Sequence, residues 1–207
     1  MSVSDLRQAL GAQPDPEFDL ELPTGWSRRE PDEATMHDML AAMKRRLMES
    51  HRPDLYAQAK VLVERAFDDM RRGGVFAFFS ATDPGPDTLF VPSTINASVR
   101  RAEPGQSLDD VARALIRDYK ATPLLGDKRT LRVEREKMAR MGSETLVNHS
   151  VVYLTPIPGA RRRRALQLVA GFARRPETAP DDPALDSLRV LFDTCVSTLR
   201  WRPAPTV

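Results

Sequence analysis

The chain has 207 residues, 41% hydrophobic and 29% charged, proportions ordinary for a globular protein and against disorder over most of its length. Its 31 basic and 29 acidic residues leave a formal net charge of +2, too little to argue for nucleic acid or membrane as a partner. The single cysteine, Cys195, excludes an internal disulfide, and nothing resembles a zinc set.

The opening MSVSDLRQALGAQPDPEFDL carries acids and prolines but no apolar core segment. It is not a secretory signal, and a cytoplasmic location is expected. No stretch approaches the roughly 20 apolar residues that span a bilayer. Residues 1–17 read as a flexible arm and 203–207 as a tail, with one domain over 18–202.

Phe18, Leu20 and Leu22 alternate with Asp19 and Glu21, the period of a short strand. Pro23, Thr24 and Gly25 then turn the chain. Over 32–72 the period changes: Met36, Met39, Leu40, Met43 and Leu47 fall at steps of three and four, which marks one face of a helix. Pro53 breaks it. A second helix carries Ala59, Leu62, Val63, Ala66, Phe67 and Met70 on one side, and Gly73-Gly74 stops it. This is a helical hairpin.

Val75–Phe79 reads as a buried strand. Leu89, Val91, Ser93, Ile95, Ala97 and Val99 share a face of another, which Pro92 marks as starting at an edge or bulge. Ser107 is an N-cap with Asp109 and Asp110 in the first turn, and Pro123 ends that helix. Three strands follow, through Leu131–Val133, Thr145–Tyr153 and Leu166–Phe172. Residues 174–183 form a linker rich in Pro and Asp, and a final helix carries Leu185, Leu188, Leu191, Phe192, Cys195, Val196 and Leu199. The expected class is α+β: a layered sandwich with an antiparallel sheet flanked by helices and an inserted helical hairpin.

The phrases ELPTGW at 21–26, SLDDVARALIRDYK at 107–120 and STLRW at 197–201, in this order of elements, resemble the PsbP-like superfamily, in particular its LpqN-like actinobacterial branch. The resemblance spans about Phe18 to Arg202 and implies an α/β/α sandwich used for binding, scaffolding or chaperoning. It supplies no active-site residues. The hairpin is longer than that fold needs, and the extracytoplasmic relatives' signal is lacking.

No catalytic constellation stands out, and no cofactor or metal is expected. His149 shares a strand face with Val147 and Val151 and has no acid or second histidine at ligand spacing, so it reads as a structural histidine. His37 and His51 read as solvated. Cys195 sits in an apolar stripe, an inert position. Asp109-Asp110 and Asp181-Asp182 read as capping acids. Neither GxGxxG nor GxxxxGK[ST] occurs.

Arg161, Arg162, Arg163 and Arg164 form a basic run that Arg100-Arg101 and Arg174-Arg175 could extend toward phosphate or an acidic protein. With no aromatic residues beside it to stack on bases, nucleic acid is the weaker expectation. Met36, Met39, Met43 and Leu47 are the candidate protein-binding face, since methionine suits adaptable surfaces. A non-catalytic module with a protein partner or a homodimer is therefore expected. The alternative is a small-ligand binder or enzyme with an unfamiliar pocket, using His149, Tyr153 and Arg132.

Overall fold

The computed structural model describes residues 16–83, 85–141, 144–160 and 163–203. Most of the expected arm, residues 1–15, and positions 204–207 of the tail lie outside them.

Seven strands form one antiparallel sheet in the order β2-β3-β4-β8-β7-β6-β5. They are β2 (Trp26–Arg29), β3 (Val75–Ala81), β4 (Thr94–Arg101), β5 (Thr122–Leu124), β6 (Asp127–Met141), β7 (Glu144–Pro156) and β8 (Arg164–Arg174). A separate two-stranded sheet pairs β1 (Glu17–Asp19) with β9 (Arg200–Arg202), joining the two ends of the described chain. Among the described residues the helices are α1 (Glu33–Glu49), α2 (Pro53–Arg72), α3 (Leu108–Tyr119) and α4 (Pro183–Ser197). The α+β sandwich is thus the architecture of the chain.

Alternation along each strand sends side chains to two faces. Ala77 and Phe79, Ile95 and Ala97, Val151 and Tyr153, and Leu166, Leu168, Ala170 and Phe172 join Leu185, Phe192, Cys195 and Val196 of α4 in the principal core. Phe18 enters the same core and meets Phe79 and Trp201 edge to face at 6.1 and 6.2 Å. On the opposite face α3 packs Leu108 against Leu154 and Ala165. Beside it Phe67 of α2 meets Phe78 of β3 at 5.7 Å, edge to face.

The expected hairpin is present as α1 and α2. Asp32 caps α1, accepting from Thr35 N at 2.7 Å, and Pro53 opens α2 at its first turn, where the missing N–H costs nothing. Since β2 and β3 are adjacent antiparallel partners, a short turn could have joined them. The hairpin is an excursion from a local connection.

Several boundaries differ from the periodicity. Residues Leu89–Ser93 are not strand. The strand starts at Thr94, two residues past Pro92, and lies between β3 and β8 in mid-sheet, so the missing proline N–H falls outside the ladder rather than at an edge. The helix α3 ends before Pro123, at Tyr119, with Lys120 left-handed at φ 57. Pro123 instead sits in edge strand β5, where a ladder tolerates it. Strands β2, β5 and β9 escape a reading by period because they hold three or four residues each. The predicted first strand is confined to Glu17–Asp19.

Gly25 lies where Thr82, Asp83 and Leu89 are held against the turn between β1 and β2. Its φ is +78, and a Cβ there would come within 2.1 Å of Thr88 Oγ1. Its carbonyl accepts from Thr82 N at 2.9 Å, while Trp26 Nε1 donates to the Leu89 carbonyl at 2.8 Å.

Candidate functional site

Charged residues gather in a seam between α4 and the sheet. Spacing of two along β6 puts Arg132, Glu134 and Glu136 on one face, and the β6–β7 register sets Arg132 opposite Tyr153 and Glu136 opposite His149. Arg189 and Asp193, one turn apart on α4, close over them.

Arg132 Nε donates to Asp193 Oδ1 and Oδ2 at 2.7 and 3.0 Å and Nη2 to Glu134 Oε1 at 2.5 Å. Burial pulls the Arg132 pKa down, but the hydrogen bonds to Asp193 and Glu134 outweigh it and leave it raised. The Tyr153 hydroxyl donates to Asp193 Oδ1 at 2.6 Å. Burial first, and then this bond, hold its phenol far above the ordinary tyrosine range. Arg174 Nη2 donates to both oxygens of Glu136 at 3.1 Å and Nη1 to the Thr178 carbonyl at 2.8 Å. Arg189 Nε lies 3.3 Å from Glu134 Oε2, and its Nη1 pairs with Asp186.

His149 occupies the centre. It is 3% exposed and stacks on Phe172 at 4.7 Å. Its Nδ1 lies 3.2 Å from Glu136 Oε1. Its Nε2 lies 3.1 Å from Glu134 Oε2 but off the N–H direction, so it makes no hydrogen bond there. The hydrogen bond from His149, and then those from Arg174, hold the Glu136 carboxyl below its ordinary value against the effect of burial.

The sequence shows no acid at ligand spacing near His149; the structure corrects this, because cross-strand pairing brings up Glu134 and Glu136. Spacing of Glu134 and Glu136 on a common face was the available signal. The three residues of the enzymatic alternative, His149, Tyr153 and Arg132, do meet in the seam. Their polar groups point at Glu134, Glu136 and Asp193, and Tyr153 is 1% exposed. The arrangement clamps α4 to the sheet. Among the described residues no group of three His, Cys, Asp or Glu side chains could hold a metal. Cys195 is buried, which raises its thiol pKa.

The arginine run divides. Arg161 and Arg162 lie outside the described residues. Arg163 and Arg164 join Arg101, which pairs with Arg164 across β4–β8, around an open basin of about 550 Å³ that also touches Ala102, Gly159 and Ala160. No aromatic residue lines it, so bases would have nothing to stack on. Arg174 does not extend this patch: it lies at the other end of β8, buried against Glu136.

On the hairpin, Met36, Met39, Met43 and Leu47 are half-buried and Leu40 is buried. The solvent-facing apolar side chains are Met48, 43% exposed, with Val61 at 55% and Leu62 at 44%. Phe90, 53% exposed, lies under the Arg46 guanidinium at 5.5 Å. His37 and His51 are exposed, as expected.

A groove of about 670 Å³ runs between α3, the β5–β6 turn and the end of α4. Its wall includes Leu108, Ile116, Leu131, Leu154, Val196 and Trp201, with Lys128 at the rim. Leu125, left-handed at φ 45 and 71% exposed, stands at its mouth.

Among the described residues no helix is long and apolar enough to cross a membrane. No model of a known protein family and no curated protein matches the chain.

Proposed function

We propose that this chain is a non-catalytic protein-binding module of the adaptor or chaperone kind, on a PsbP-like sandwich, working in the cytoplasm on a secreted or membrane-associated protein. The observation that carries the reading is the hairpin. Each of its helices has one buried residue, Leu40 and Phe67, while Met48, Val61 and Leu62 remain in solvent. An apolar surface displayed on helices suits an amphipathic helix laid against it. Exposed Lys44, Arg45 and Arg46 on α1 favour acidic flanks on that partner.

The test is cross-linking from native lysate, with the captured protein identified and the contact mapped. A Val61→Asp/Leu62→Asp double variant is expected to lose the partner while melting like the parent, since both positions are exposed. Equal capture by parent and variant, or cross-links that avoid α1 and α2, would refute the reading.

A second reading rests on the groove beneath Leu125. Its volume lies within the range typical of small-molecule sites, about 300–1,000 Å³. A thermal-shift screen of apolar anions, nucleotides and metabolites tests it, since a bound ligand raises the melting temperature by mass action. Silence across the screen removes it.

A further inference from the structure

Strand β6 is much longer than its outer neighbour. β5 pairs only with Asp127, Leu131 and Arg132, whereas β7 runs beside β6 from Leu131 to Met141. From Val133 onward no strand among the described residues lies beside the outer backbone edge of β6.

The direction of its hydrogen-bonding groups follows from the ladder. Ile157 N donates to the Arg164 carbonyl at 3.1 Å, and the β7–β8 register continues unshifted from there back to Val147 and Arg174. Odd-numbered residues of β7 therefore bond toward β8 and even-numbered ones toward β6. Because Met138 pairs with Val147 and Glu136 with His149, the N–H and C=O groups of Glu134, Glu136, Met138 and Arg140 point outward. Ser150 Oγ reaching the Arg135 carbonyl at 3.4 Å fits the inward direction of the odd positions.

We propose that this edge pairs with the same edge of a second copy, antiparallel about a two-fold axis at Met138, joining two seven-stranded sheets. This goes beyond the hairpin reading and does not depend on it. A two-fold contact demands a self-complementary strand, and the register about Met138 supplies one. Met138, 60% exposed, meets the partner's Met138. Glu136 faces the partner's Arg140, and this opposite-charge pair occurs twice. Lys137 meets the partner's Ala139 on the other face. Shifting the axis to Lys137 sets lysine against lysine, and shifting it to Glu136 sets glutamate against glutamate, each unfavourable directly across a pair. Charges along an edge commonly discourage pairing; here their order permits one register and penalises its neighbours.

Light scattering on the full chain should give twice the chain mass at high micromolar concentration. Arg140→Glu, at an exposed position, should halve it by placing an acid opposite Glu136. Met138→Pro should do the same, since it removes an outward N–H and spares the β6–β7 ladder. Under mild oxidation Met138→Cys should form a covalent dimer, because the Cα separation of a hydrogen-bonded pair, about 5.5 Å, lies inside the disulfide range of about 4.4–6.8 Å. Lys137→Cys, two residues out of register with its own copy, should not. A monomer at all concentrations overturns the proposal. So does a dimer that Arg140→Glu leaves intact with no Met138→Cys cross-link, and one dissolved instead by Val61→Asp/Leu62→Asp lies on the hairpin.

Discussion

The Tyr153 hydroxyl and the Asp193 carboxylate meet at 2.6 Å across the gap between β7 and α4, and Asp193 also takes the Arg132 guanidinium. One carboxylate therefore holds a phenol and a cation, both largely shielded from water. Asp193→Ala would leave the Tyr153 hydroxyl without its acceptor and Arg132 with Glu134 as its remaining carboxylate. The expected loss is about 3 kcal/mol, the lower end for breaking a buried pair, because the Asp193 side chain is 16% exposed. Chemical denaturation of parent and variant measures it; an unchanged midpoint would remove the clamp from the account.

Tyr153 makes the same contact dependent on alkali. Its folded pKa lies above the unfolded one, so its contribution is complete below the unfolded value of about 10 and fades as pH climbs beyond it. Tyr153→Phe should flatten the alkaline decline in stability, and the Tyr153 phenolate absorbance of the parent should rise only as the chain unfolds.

Glu136 acts at the other end of the scale. His149 and Arg174 hold its carboxyl below the ordinary value. Its contribution is therefore present above about pH 4.3, the unfolded value, and disappears as pH falls through the lower folded one. Glu136→Gln should shallow the acid limb of the stability curve while changing its alkaline limb little. Urea midpoints taken across the two limbs separate these outcomes.

Gly25→Ala tests how Thr82, Asp83 and Leu89 are held against the turn between β1 and β2. A methyl group on the left-handed Gly25 would overlap Thr88, so either the turn opens or Thr88 and Leu89 lift and Trp26 loses its bond to Leu89. We expect a fall of several degrees in melting temperature, accompanied by a red shift in Trp26 fluorescence. Gly25→Ala with Thr88→Gly should recover part of the loss.

Phe67→Ala tests how the hairpin is held. Phe67 is 2% exposed against Phe78, and its truncation should cost about 3–5 kcal/mol. Because Leu40 is the other buried residue of the hairpin, the loss should fall on α1 and α2. Hydrogen exchange should quicken there while β7 and β8 keep their protection.

Much of this molecule is written in local pattern. Steps of three and four predict α1, α2, α3 and α4, and steps of two predict β4, β6, β7 and β8, because periodic burial imprints its repeat on the residues themselves; β3 is legible as a continuous apolar run. Cys195 reads as an inert core thiol for the same reason, and the Ser107 cap for the chemistry of a helix start. The short strands carry too few residues to show a period, and Leu89–Ser93 alternates without being strand, its first apolar member, Leu89, standing 42% exposed.

Tertiary structure alone decided what the charged residues do. Glu136 and His149 are thirteen positions apart, and Arg132 and Asp193 sixty-one; no local period marks either pair, since register between strands and the seating of α4 set the distance. The same holds for Arg174, which the sequence groups with a run of arginines in a basic patch and which strand β8 carries to its other end, against Glu136. The open edge of β6 follows from the mismatch in length between β6 and β5, a property of neighbours rather than of either strand. Local chemistry settled which elements form, and the long-range packing of the sheet settled which side chains are occupied and which remain available to a partner.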